Sequence, residues 1–440
     1  MNVKKYHSLK ESGVEWIEKI PTHWELRRIG QLFKFRNEKV SDEEYMPLSV
    51  TKDGVVPQLE NVAKTIHNEN RKKVLKGDIV INSRSDRRGS SGLSMLNGSC
   101  SLINHVLEPR VELEGKYIHY LFKSVPFCDE YYRWGTGIVD DLWSTQKDRM
   151  SQIQIPFPPI NEQKRIARFL DDKTNAIAKL KKILEEKINK LKDYRSSLIT
   201  QAVTKGLDPN VPMKDSGIEW LGEVPGHWEK SKLKYLAQIG PSKSEVSKLT
   251  NVKVSFLPME KIGQNKLILD VEKDISEVYS GYTYFKDGDV VVAKVTPCFE
   301  NGNIAVARNL VNGIGFGTSE IYVLRPYLSK MIPEFLSYLF QSEPFRSKAI
   351  SSMYGVGGLK RIPSEFFESY EFYIPSVTEQ KLIVNSLDRK IKLVNHLISK
   401  INEILNKLDT YRSSLITAAV TGQIDVSDWK EAEEELETIL

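Results

Sequence analysis

The sequence YRSSLIT occurs twice in the chain, at residues 194–200 and again at residues 411–417. Each copy closes a Lys-rich segment in which an aliphatic residue returns every seven positions. An apolar row that holds over five heptads is typical of a coiled-coil helix rather than of an ordinary surface helix. We therefore predict two long helices, with the seam residues Leu170, Ile177, Leu184, Leu191 and Leu198 in the first and Leu387, Val394, Ile401, Leu408 and Leu415 in the second.

A second apolar row adjoins this seam in both segments. It contains Ile166, Leu180 and Tyr194 in the first segment and Ile383, Leu397, Ile404 and Tyr411 in the second. A helix from about residue 160 to residue 203 would be roughly 65 Å long at 1.5 Å per residue, so it needs a partner along its length. The other copy has the only seam of equal length, and we expect the two helices to pair. Two separate surface helices are the alternative.

The rest of the chain is duplicated as well. WIEKIPTHWE at residues 16–25 returns as WLGEVPGHWE at residues 220–229, an offset of 204. EQK at residues 162–164 returns at residues 379–381, an offset of 217 that also relates the two YRSSLIT copies. The sequence thus predicts an internal repeat of half its length, with a longer variable region in the second half.

Each half contains short β-like runs between its opening phrase and its long helix. Strands are predicted at residues 46–50, 77–82 and 106–107 and at residues 253–257, 288–293 and 321–324, and one helix per half at residues 117–122 and 335–340. This mixture favours a compact α+β domain in each half. The predicted order is a globular domain (1–158), a helix (159–205), a second globular domain (206–375), a second helix (376–423) and an acidic tail (424–440).

Charge is distributed unevenly along the chain. The net charge is +5, but residues 424–440 hold seven acids and one Lys, a local charge of −6, so the preceding residues sum to +11. The first long segment, residues 159–206, holds twelve Lys or Arg and six acids. A basic body fits a polyanion such as DNA, although a solvated helix face explains the charge of this segment equally well.

The cysteines and the apolar runs exclude other classes of protein. Cys100, Cys128 and Cys298 are scattered, which favours neither a disulfide framework nor a structural zinc site. No apolar run approaches the roughly 20 residues that a membrane-spanning helix needs. We therefore expect a cytoplasmic protein that binds no metal.

With this order of motifs, the chain resembles the specificity (S) subunit, HsdS, of type I restriction-modification systems. The resemblance is carried by the two opening phrases, by PPINEQK at residues 158–164 with its counterpart PSVTEQK at residues 375–381, and by the YRSSLIT helix ends. Each phrase alone is a weak signal. Their duplicated order covers nearly the whole chain, which makes the resemblance specific.

The resemblance implies a fold, a role and a set of partners. The fold would be α+β, with two target recognition domains that alternate with two long helices paired as an antiparallel coiled coil, a pseudo-two-fold internal repeat. The role would be that of a non-catalytic subunit that reads a bipartite, asymmetric site in double-stranded DNA. The partners would be two modification (methyltransferase) subunits and the restriction (translocase and nuclease) subunits. Those partners, and not this chain, would use S-adenosylmethionine, ATP and Mg.

The chain lacks the motifs of the chemistry that such partners perform. FPPI at residues 157–160 lacks both the Asp or Asn and the aromatic residue of an adenine methylase motif, and no GxxxxGK[ST] phosphate loop is present. His23 and His227 recur beside tryptophans, which favours packing over catalysis. No catalytic residue is therefore predicted. A coiled-coil interaction scaffold without sequence-specific DNA binding is the alternative to a specificity subunit.

DNA reading needs base-edge contacts, for which Arg, Asn and Gln are best suited, and phosphate contacts from Lys and Arg. Loop 82–91 of the first half, NSRSDRRGSS, is rich in Arg, whereas loop 294–303 of the second, KVTPCFENGN, differs in composition, as reading of unlike half-sites requires. A solvated loop is the alternative reading of the first. The predicted DNA-binding residues are Lys52, Arg84, Arg87, Arg88, Arg133 and Lys147 in the first half and Lys261, Gln264, Asn265, Lys294, Asn301, Lys360 and Arg361 in the second.

The long helices also carry more apolar residues than one seam can bury. We expect four of them to be exposed and to bind helices of partner subunits: Ile183, Ile188, Ile391 and Ile398.

Overall fold

A computed structural model of the protein describes residues 4–58, 70–84, 88–137, 143–356 and 358–430. The predicted DNA-binding residue Arg87 lies outside these ranges. The chain forms two compact units, each of which combines a globular part with portions of both long helices. Unit 1 consists of residues 1–184 and 402–440, and unit 2 consists of residues 185–401.

The first long helix is preceded by the globular part of unit 1. Its elements are β1 (Leu9–Val14), β2 (Ile17–Pro21), β3 (Glu25–Arg28), α1 (Ile29–Leu32), β4 (Phe33–Phe35), β5 (Lys39–Val40), β6 (Leu48–Thr51), β7 (Gly54–Pro57), β8 (Arg71–Val74), β9 (Ile79–Asn82), β10 (Ser91–Leu93), β11 (Gly98–Cys100), β12 (Asn104–Pro109), α2 (Gly115–Lys123), α3 (Val125–Arg133), α4 (Lys147–Gln152) and β13 (Gln154–Phe157). The long helix α5 (Ile160–Lys205) follows.

The globular part of unit 2 lies between the two long helices. Its elements are β14 (Met213–Asp215), β15 (Glu223–Pro225), β16 (Glu229–Lys232), β17 (Ala237–Ile239), β18 (Lys253–Leu257), β19 (Ile262–Gly263), β20 (Lys266–Leu267), β21 (Glu272–Asp274), α6 (Ile275–Val278), β22 (Thr283–Lys286), β23 (Val290–Ala293), β24 (Ile304–Val306), β25 (Ile314–Gly317), β26 (Ile321–Pro326), α7 (Pro333–Gln341), α8 (Glu343–Ser352), β27 (Tyr354–Val356), β28 (Leu359–Arg361), α9 (Ser364–Ser369) and β29 (Glu371–Ile374). The second long helix is α10 (Val377–Val420).

Each unit contains a four-stranded antiparallel sheet of the same connectivity. The strand order is β10-β9-β12-β4 in unit 1 and β24-β23-β26-β17 in unit 2. Each unit also pairs the strand after the opening phrase with the strand before the long helix, β3 with β13 and β16 with β29. The strands and helices predicted in both halves are present, so the prediction of a repeated α+β architecture is confirmed.

The variable region differs between the units. Unit 2 contains a second four-stranded sheet of order β21-β18-β25-β22, in which β18 and β25 run parallel. A separate apolar cluster that includes Val254, Ile275 and Phe316 packs on this sheet. Unit 1 contains a three-stranded sheet of order β11-β8-β5. The larger sheet of unit 2 agrees with the longer variable region predicted for the second half.

The aromatic and histidine residues of the opening phrases join each globular part to a long helix. Trp24 and Trp228 are fully buried. Beside Trp24, the Nε2 atom of His23 lies 2.8 Å from the carboxylate of Glu162 on α5, and His227 makes the same contact in unit 2. The opening phrase and the EQK sequence of each half therefore meet in a side-chain contact, in which the histidines are 50% and 52% exposed and bind a carboxylate rather than pack in the core.

The glutamine of each EQK sequence is buried in the same joint. Gln163 Nε2 donates to the carbonyl of Pro158 at 2.8 Å, and its Oε1 accepts from the backbone N–H of Glu114 at 3.0 Å. Gln380 makes the equivalent bonds in unit 2. A buried side-chain amide that both donates and accepts hydrogen bonds fixes the strand end, the helix start and the neighbouring helix in one arrangement.

Proline and glycine set the ends of the long helices. α5 begins directly after residues 158–159, both proline, and ends before Gly206, whose φ is +77°. α10 begins two residues after Pro375 and is followed by Gly422 at φ +74°. Proline suits the start of a helix, and a glycine in the left-handed region suits the position just beyond its end.

In unit 1, the first part of α5 packs against the last part of α10. Leu170 and Ala419 belong to one core cluster, and farther along α5 the Lys181 Nζ atom lies 2.7 Å from Asp409 Oδ1. Residue numbers rise along α5 while those of the contacting residues fall along α10. The two helices are therefore antiparallel in this unit.

Unit 2 repeats this arrangement with the other two helix portions. Ala202 and Ile383 share its core cluster, and Arg195 Nη1 donates to Asn395 Oδ1 at 3.2 Å. The prediction that the two long helices pair, as an antiparallel coiled coil, is confirmed.

The second row of the seam is not the one predicted. Ile166 and Ile383 are buried, but Leu180, Tyr194, Leu397, Ile404 and Tyr411 are 43–52% exposed. The second row lies four residues after each seam residue. It consists of Thr174, Lys181, Ile188 and Arg195 in α5 and Ile391, Ile398 and Leu405 in α10, all buried or half-buried, whereas the last position of this row in α10, Arg412, is exposed. The prediction was wrong because it followed residue type, whereas paired helices pack positions spaced three and four apart even where these hold Thr, Lys or Arg.

Candidate nucleic-acid interface

In both units a short β-hairpin lies against the C-terminal end of a helix. In unit 1 the β6–β7 hairpin meets α2, where the ammonium group of Lys123 donates to the backbone carbonyl of Lys52. In unit 2 the β19–β20 hairpin meets α7, where Gln341 Nε2 donates to Asn265 Oδ1 at 2.6 Å. The hairpin, the helix end and the loop after the buried strand β9 or β23 carry most of the predicted DNA-binding residues.

The Arg-rich loop of unit 1 places its two described arginines differently. Arg84 is exposed, and its backbone N–H is held by Asn82 Oδ1 at 3.0 Å. The guanidinium group of Arg88 binds the carboxylate of Asp129 at 2.7 Å and lies 4.5 Å from the centre of the Tyr132 ring. Arg84 has no carboxylate partner among the described residues, whereas Arg88 would first have to leave Asp129.

The other predicted residues of unit 1 divide in the same way. Arg133 is paired with Glu130 at 2.8 Å and also with Glu15. Lys52, at the hairpin tip, and Lys147 are exposed, and the ammonium group of Lys147 lies 5.2 Å from the centre of the Phe35 ring. Of these three residues, Arg133 alone has carboxylate partners within the described ranges that it would have to give up in order to contact DNA.

In unit 2 the loop of residues 294–303 lies between two hairpins. On one side, Gln264 Nε2 donates to the carbonyl of Asn301 at 2.8 Å. On the other side, the backbone N–H of Lys360, in the β27–β28 hairpin, donates to Thr296 Oγ1 at 2.9 Å. Three predicted residues, Gln264, Asn301 and Lys360, are thereby brought around one loop, and the Lys360 side chain is exposed.

The remaining predicted residues of unit 2 are engaged within the protein. The Asn265 amide oxygen accepts from Ser337 Oγ at 3.1 Å as well as from Gln341. Lys261 pairs with Asp270. The guanidinium group of Arg361 makes two contacts of 3.0 Å with the Glu320 carboxylate, and the Lys294 ammonium group lies 4.9 Å from the centre of the Tyr322 ring. These side chains support the loop in this structure.

Four basic residues that the sequence analysis did not select lie close to the same hairpins. Arg195 Nη2 donates to Gln264 Oε1 in unit 2, and Arg346 Nη2 donates to the carbonyl of Glu300. In unit 1, Arg412 is the counterpart of Arg195, and it lies close enough to Lys123 to act on the charge of that side chain. One signal was available in the sequence: the Arg of each YRSSLIT copy occupies a coiled-coil seam position, where an apolar residue is the rule.

Burial changes the acid–base behaviour of this cluster. Burial lowers the pKa of Lys123 to about 8, the neighbouring Asp53 carboxylate raises it in part, and the positive charge of Arg412 lowers it further. Burial also lowers the pKa of Arg195 below its ordinary value, with a further contribution from Arg346. Each unit thus keeps a positively charged side chain, Lys123 or Arg195, in surroundings that disfavour its charge.

The predicted partner-binding residues are only partly on the surface. Ile183 is 59% exposed and Ile398 is half-buried, but Ile188 and Ile391 are only 8% and 6% exposed. The prediction that these two are exposed was wrong, because both occupy the second row of the seam. The large exposed apolar residues of the helices are instead Leu180, Ile183, Ile404 and Tyr411 in unit 1 and Tyr194, Leu382, Leu393 and Leu397 in unit 2.

Within the described residues, no group of three or more His, Cys, Asp or Glu side chains is placed to hold a metal ion. No helix in the same ranges is long and apolar enough to cross a membrane.

Comparison with known proteins identifies the family. The profile of the type I restriction modification DNA specificity domain matches residues 21–190 and 225–407, one segment in each half and well over half of the chain. The paired long helices and the two α+β units define the class of fold. The chain belongs to the type I restriction modification DNA specificity family.

Individual relatives are similar over different lengths. The chain is 33% identical over 251 residues to the type I restriction enzyme EcoEI specificity subunit of Escherichia coli, a match that covers 57% of the chain and 40% of that relative. It is 32% identical over 237 residues, 53% of the chain, to the EcoAI specificity subunit of the same species and covers 38% of it. The chain thus spans about two fifths of the length of these relatives. The MjaVIII specificity subunit of Methanocaldococcus jannaschii is 25% identical over 455 residues, which cover 97% of both chains.

Solved structures share the fold over most of their length. A chain from a structure on complex assembly and conformational transition of the type I R-M system aligns with a TM-score of 0.69 at 14% identity, over 92% of this chain and 99% of that one. The HsdS subunit from Thermoanaerobacter tengcongensis aligns with a TM-score of 0.53 at 17% identity, over 92% and 98% of the two chains. The fold is therefore that of an HsdS subunit.

Proposed function

We propose that this chain is the sequence-specific DNA-binding specificity subunit of a type I restriction-modification enzyme, a non-catalytic subunit that reads a bipartite, asymmetric site. One observation supports this most: a single scaffold is used twice with unlike surfaces. The sheet order is the same in both units, and in each unit the last side chain of a helix donates a hydrogen bond to a β-hairpin. The candidate contacts are an Arg-rich loop in unit 1 but Gln264, Asn301 and Lys360 in unit 2. Unlike contact residues on like scaffolds suit two different half-sites.

The cost of leaving existing partners ranks the candidate contacts. An Arg that already binds a carboxylate must exchange that partner for DNA, whereas an exposed cation exchanges only water. Among the described residues, neither Arg84 nor Lys360 has a carboxylate partner. Lys52 and Lys147 meet the same criterion in unit 1, but a guanidinium group suits base edges better than an ammonium group. We therefore assign Arg84 as the main contact of unit 1 and Lys360 as the main contact of unit 2, with Gln264 as a base-edge candidate.

The long helices supply the surface for partner subunits. Exposed apolar residues in a row on a helix are typical of a protein–protein interface. The offset of 217 relates Leu180 to Leu397 and Tyr194 to Tyr411, and these four residues are 43–52% exposed. Each unit thus carries a similar row, which suits two copies of one partner.

The proposed assembly contains two modification subunits, which bind these rows, and restriction subunits that join them. S-adenosylmethionine, ATP and Mg would be used by those subunits. The assembly would act on DNA in the cytoplasm.

The test is to map methylated adenines in random-sequence DNA exposed to this chain together with its modification subunits. We expect one bipartite motif with a fixed spacer. Arg84→Ala should relax one half of the motif and Lys360→Ala the other, each by about 1–3 kcal/mol in discrimination, so that each variant is the matched control for the other.

Three results of this experiment would contradict the proposal or parts of it. Assembly with the modification subunits but methylation without any motif would favour the interaction scaffold. Equal relaxation of both halves by Arg84→Ala would contradict the assignment of that residue to one reader. Methylation by the isolated chain would contradict its non-catalytic role.

A further inference from the structure

The Arg residue of each YRSSLIT sequence has no part in the base reading proposed above. We propose that Arg195 with Arg346 in unit 2, and Arg412 with Lys123 in unit 1, form two binding sites for phosphate groups of the DNA backbone, one beside each hairpin. This inference rests on the proposed function, to which it adds groups that hold the backbone without reading sequence.

The unit 2 site contains two guanidinium groups with only neutral partners. Arg195 donates to the amide oxygens of Asn395, at 3.2 Å, and of Gln264. Arg346 donates to the backbone carbonyl of Glu300, and its Nε atom is buried without a hydrogen-bond partner among the described residues. No carboxylate within those residues pairs with either Arg, so an anion is the missing partner of this site.

The unit 1 site reaches a similar charge with different residues. Arg412 is exposed and has no hydrogen bond or ion pair among the described residues. The ammonium group of Lys123 donates to the Lys52 carbonyl, and Asp53 is the acid that acts on it. The helices α2 and α7 align so that Lys123 corresponds to Gln341, and α3 and α8 align so that Arg346 corresponds to Cys128. In each unit a second cation thus accompanies the Arg of YRSSLIT. It is Lys123 of α2 in unit 1 and Arg346 of α8 in unit 2.

Both sites hold charge at a cost in folding free energy. The ordinary pKa of Lys123 is 10.5, and burial with the nearby Arg412 reduces it to about 8. The hairpin contact itself does not need a charge, because Gln341 makes it in unit 2 through a neutral amide. A charged group kept in an unfavourable environment without a structural need is a candidate for binding.

The position of the unit 2 site favours DNA over an acidic side chain of a partner subunit. Asn395 is two residues from both Leu393 and Leu397, and two residues correspond to 200° around a helix. Arg195 therefore binds the face of α10 opposite the exposed apolar row proposed for the modification subunit. The same Arg contacts Gln264 of the candidate base-reading hairpin.

The experiment measures binding of the full chain to a random-sequence duplex between 50 and 200 mM salt. The variants are Arg195→Gln and Arg412→Gln, with Lys190→Gln and Lys407→Gln as matched controls. Each control lysine is exposed and lies five residues before the Arg of the same helix. Its replacement by Gln removes the same charge from that helix. We expect each Arg variant to reduce the slope of log K against log salt by about 0.9, the value for one phosphate contact. The controls and Arg195→Lys should retain the wild-type slope.

Several outcomes would overturn this proposal. One is a wild-type slope in both Arg→Gln variants, and another is an equal loss in the lysine controls. Loss of assembly with the modification subunits at an unchanged slope would assign the site to a partner. If thermal melting shows that Arg195→Gln does not fold, Arg346→Gln carries the same test.

Failure of the proposed function is visible separately. A wild-type methylation map without a bipartite motif would contradict sequence-specific reading, whereas the slope on random-sequence DNA does not depend on any motif.

Discussion

Units 1 and 2 bury an aspartate at the same place in the same sheet but pair it with arginines from different strands. In unit 1, Asp78 binds Arg36, which directly follows β4, with an Nε–Oδ2 distance of 3.0 Å. In unit 2, Asp289 binds Arg325 of β26, with an Nε–Oδ1 distance of 2.7 Å. Each aspartate also accepts the backbone N–H of the residue three positions earlier, at 2.8 Å.

The two arginines stand at different positions of the repeat, on adjacent strands. Arg36 corresponds to Gly240, since the backbone N–H of each bonds to the strand beside it in the same way. Arg325 corresponds to Glu108, because NHVLEP of β12 aligns with IYVLRP of β26. The backbone N–H three positions earlier fixes where the buried carboxylate lies, whereas the arginine that pairs with this carboxylate can come from either of two adjacent strands. The proposed phosphate sites follow the same rule, with a charge at one place supplied by different residues.

The largest effect is expected when the joint between globular part and helix is broken in one unit only. Trp24→Ala and Trp228→Ala each remove a fully buried indole, and each should lower the free energy of unfolding by about 3–5 kcal/mol. If the units are separate cooperative structures, hydrogen exchange should accelerate mainly in the unit that carries the change. Equal acceleration in both units would show that they unfold together.

The different origin of the two arginines can be tested by moving the arginine of unit 1 to the position that it has in unit 2. Arg36→Ala leaves Asp78 buried without its partner and should cost about 3 kcal/mol in urea unfolding. Adding Glu108→Arg supplies a cation from the position that Arg325 occupies, and we expect at least half of the loss to be recovered. Arg36→Ala with Glu108→Gln is the control, since it changes the same positions without a new cation. No difference between the two double variants would contradict the equivalence.

A smaller gain is expected when unit 1 receives the neutral residue of unit 2. Lys123→Gln removes an ammonium group whose pKa of about 8 in the folded state lies below its ordinary value of 10.5. The charged form therefore costs stability fully below pH 8, and this cost disappears as the pH rises to 10.5, because the amine is then neutral in both states. The groups that act on it are Asp53, Arg412 and Cys128.

We expect Lys123→Gln to stabilise the protein by roughly 1 kcal/mol at pH 7, after allowance for solvent screening, and not at all at pH 10.5. Thermal melts at the two pH values measure this, with exposed Lys76→Gln as the control. A loss of stability at pH 7 would mean that the hydrogen bond from the ammonium group to the Lys52 carbonyl outweighs the cost of burying the charge.

The smallest effect is expected at the helix seam. Lys181 and Asp409 form an ion pair in unit 1, with Asp409 58% exposed, whereas Arg195 contacts the neutral Asn395 in unit 2. Asp409→Asn replaces the carboxylate with a neutral acceptor and should change stability by less than about 0.5 kcal/mol, since exposed ion pairs contribute little. Urea midpoints at low and high salt measure this. A loss above 2 kcal/mol would indicate that the pair fixes the alignment of the helices.

The repeated fold could be predicted from the sequence because its signals are periodic or duplicated. The long helices follow from the heptads, and the strands from short β-branched runs between turn residues. The second seam row could not be found by residue type, since Lys181 and Arg195 occupy it. The burial of Ile188 and Ile391 could not be predicted either, because it depends on where the partner helix lies.

The candidate interface could be predicted only as far as residue types allow. Arg84 and Lys360 are exposed as a contact residue must be. Arg361 is paired with Glu320, and the side chain of Asn265 is satisfied by α7, through partners 41 and 76 positions away in sequence. Sequence spacing does not reveal such distant partners, nor does it reveal that burial lowers the pKa of Lys123.

The core of unit 1 has a consequence for synthesis on the ribosome. Trp24 shares its cluster with Leu415, Ile416, Ala419 and Val420, whereas unit 2 is built from the continuous stretch 185–401. The half that is translated first is therefore completed last, after the other half has emerged. A polypeptide whose translation stopped before residue 402 would contain all of unit 2 but leave unit 1 with an open apolar surface. Such products would be recognisable to chaperones and proteases, so the fold couples the completion of unit 1 to full-length translation.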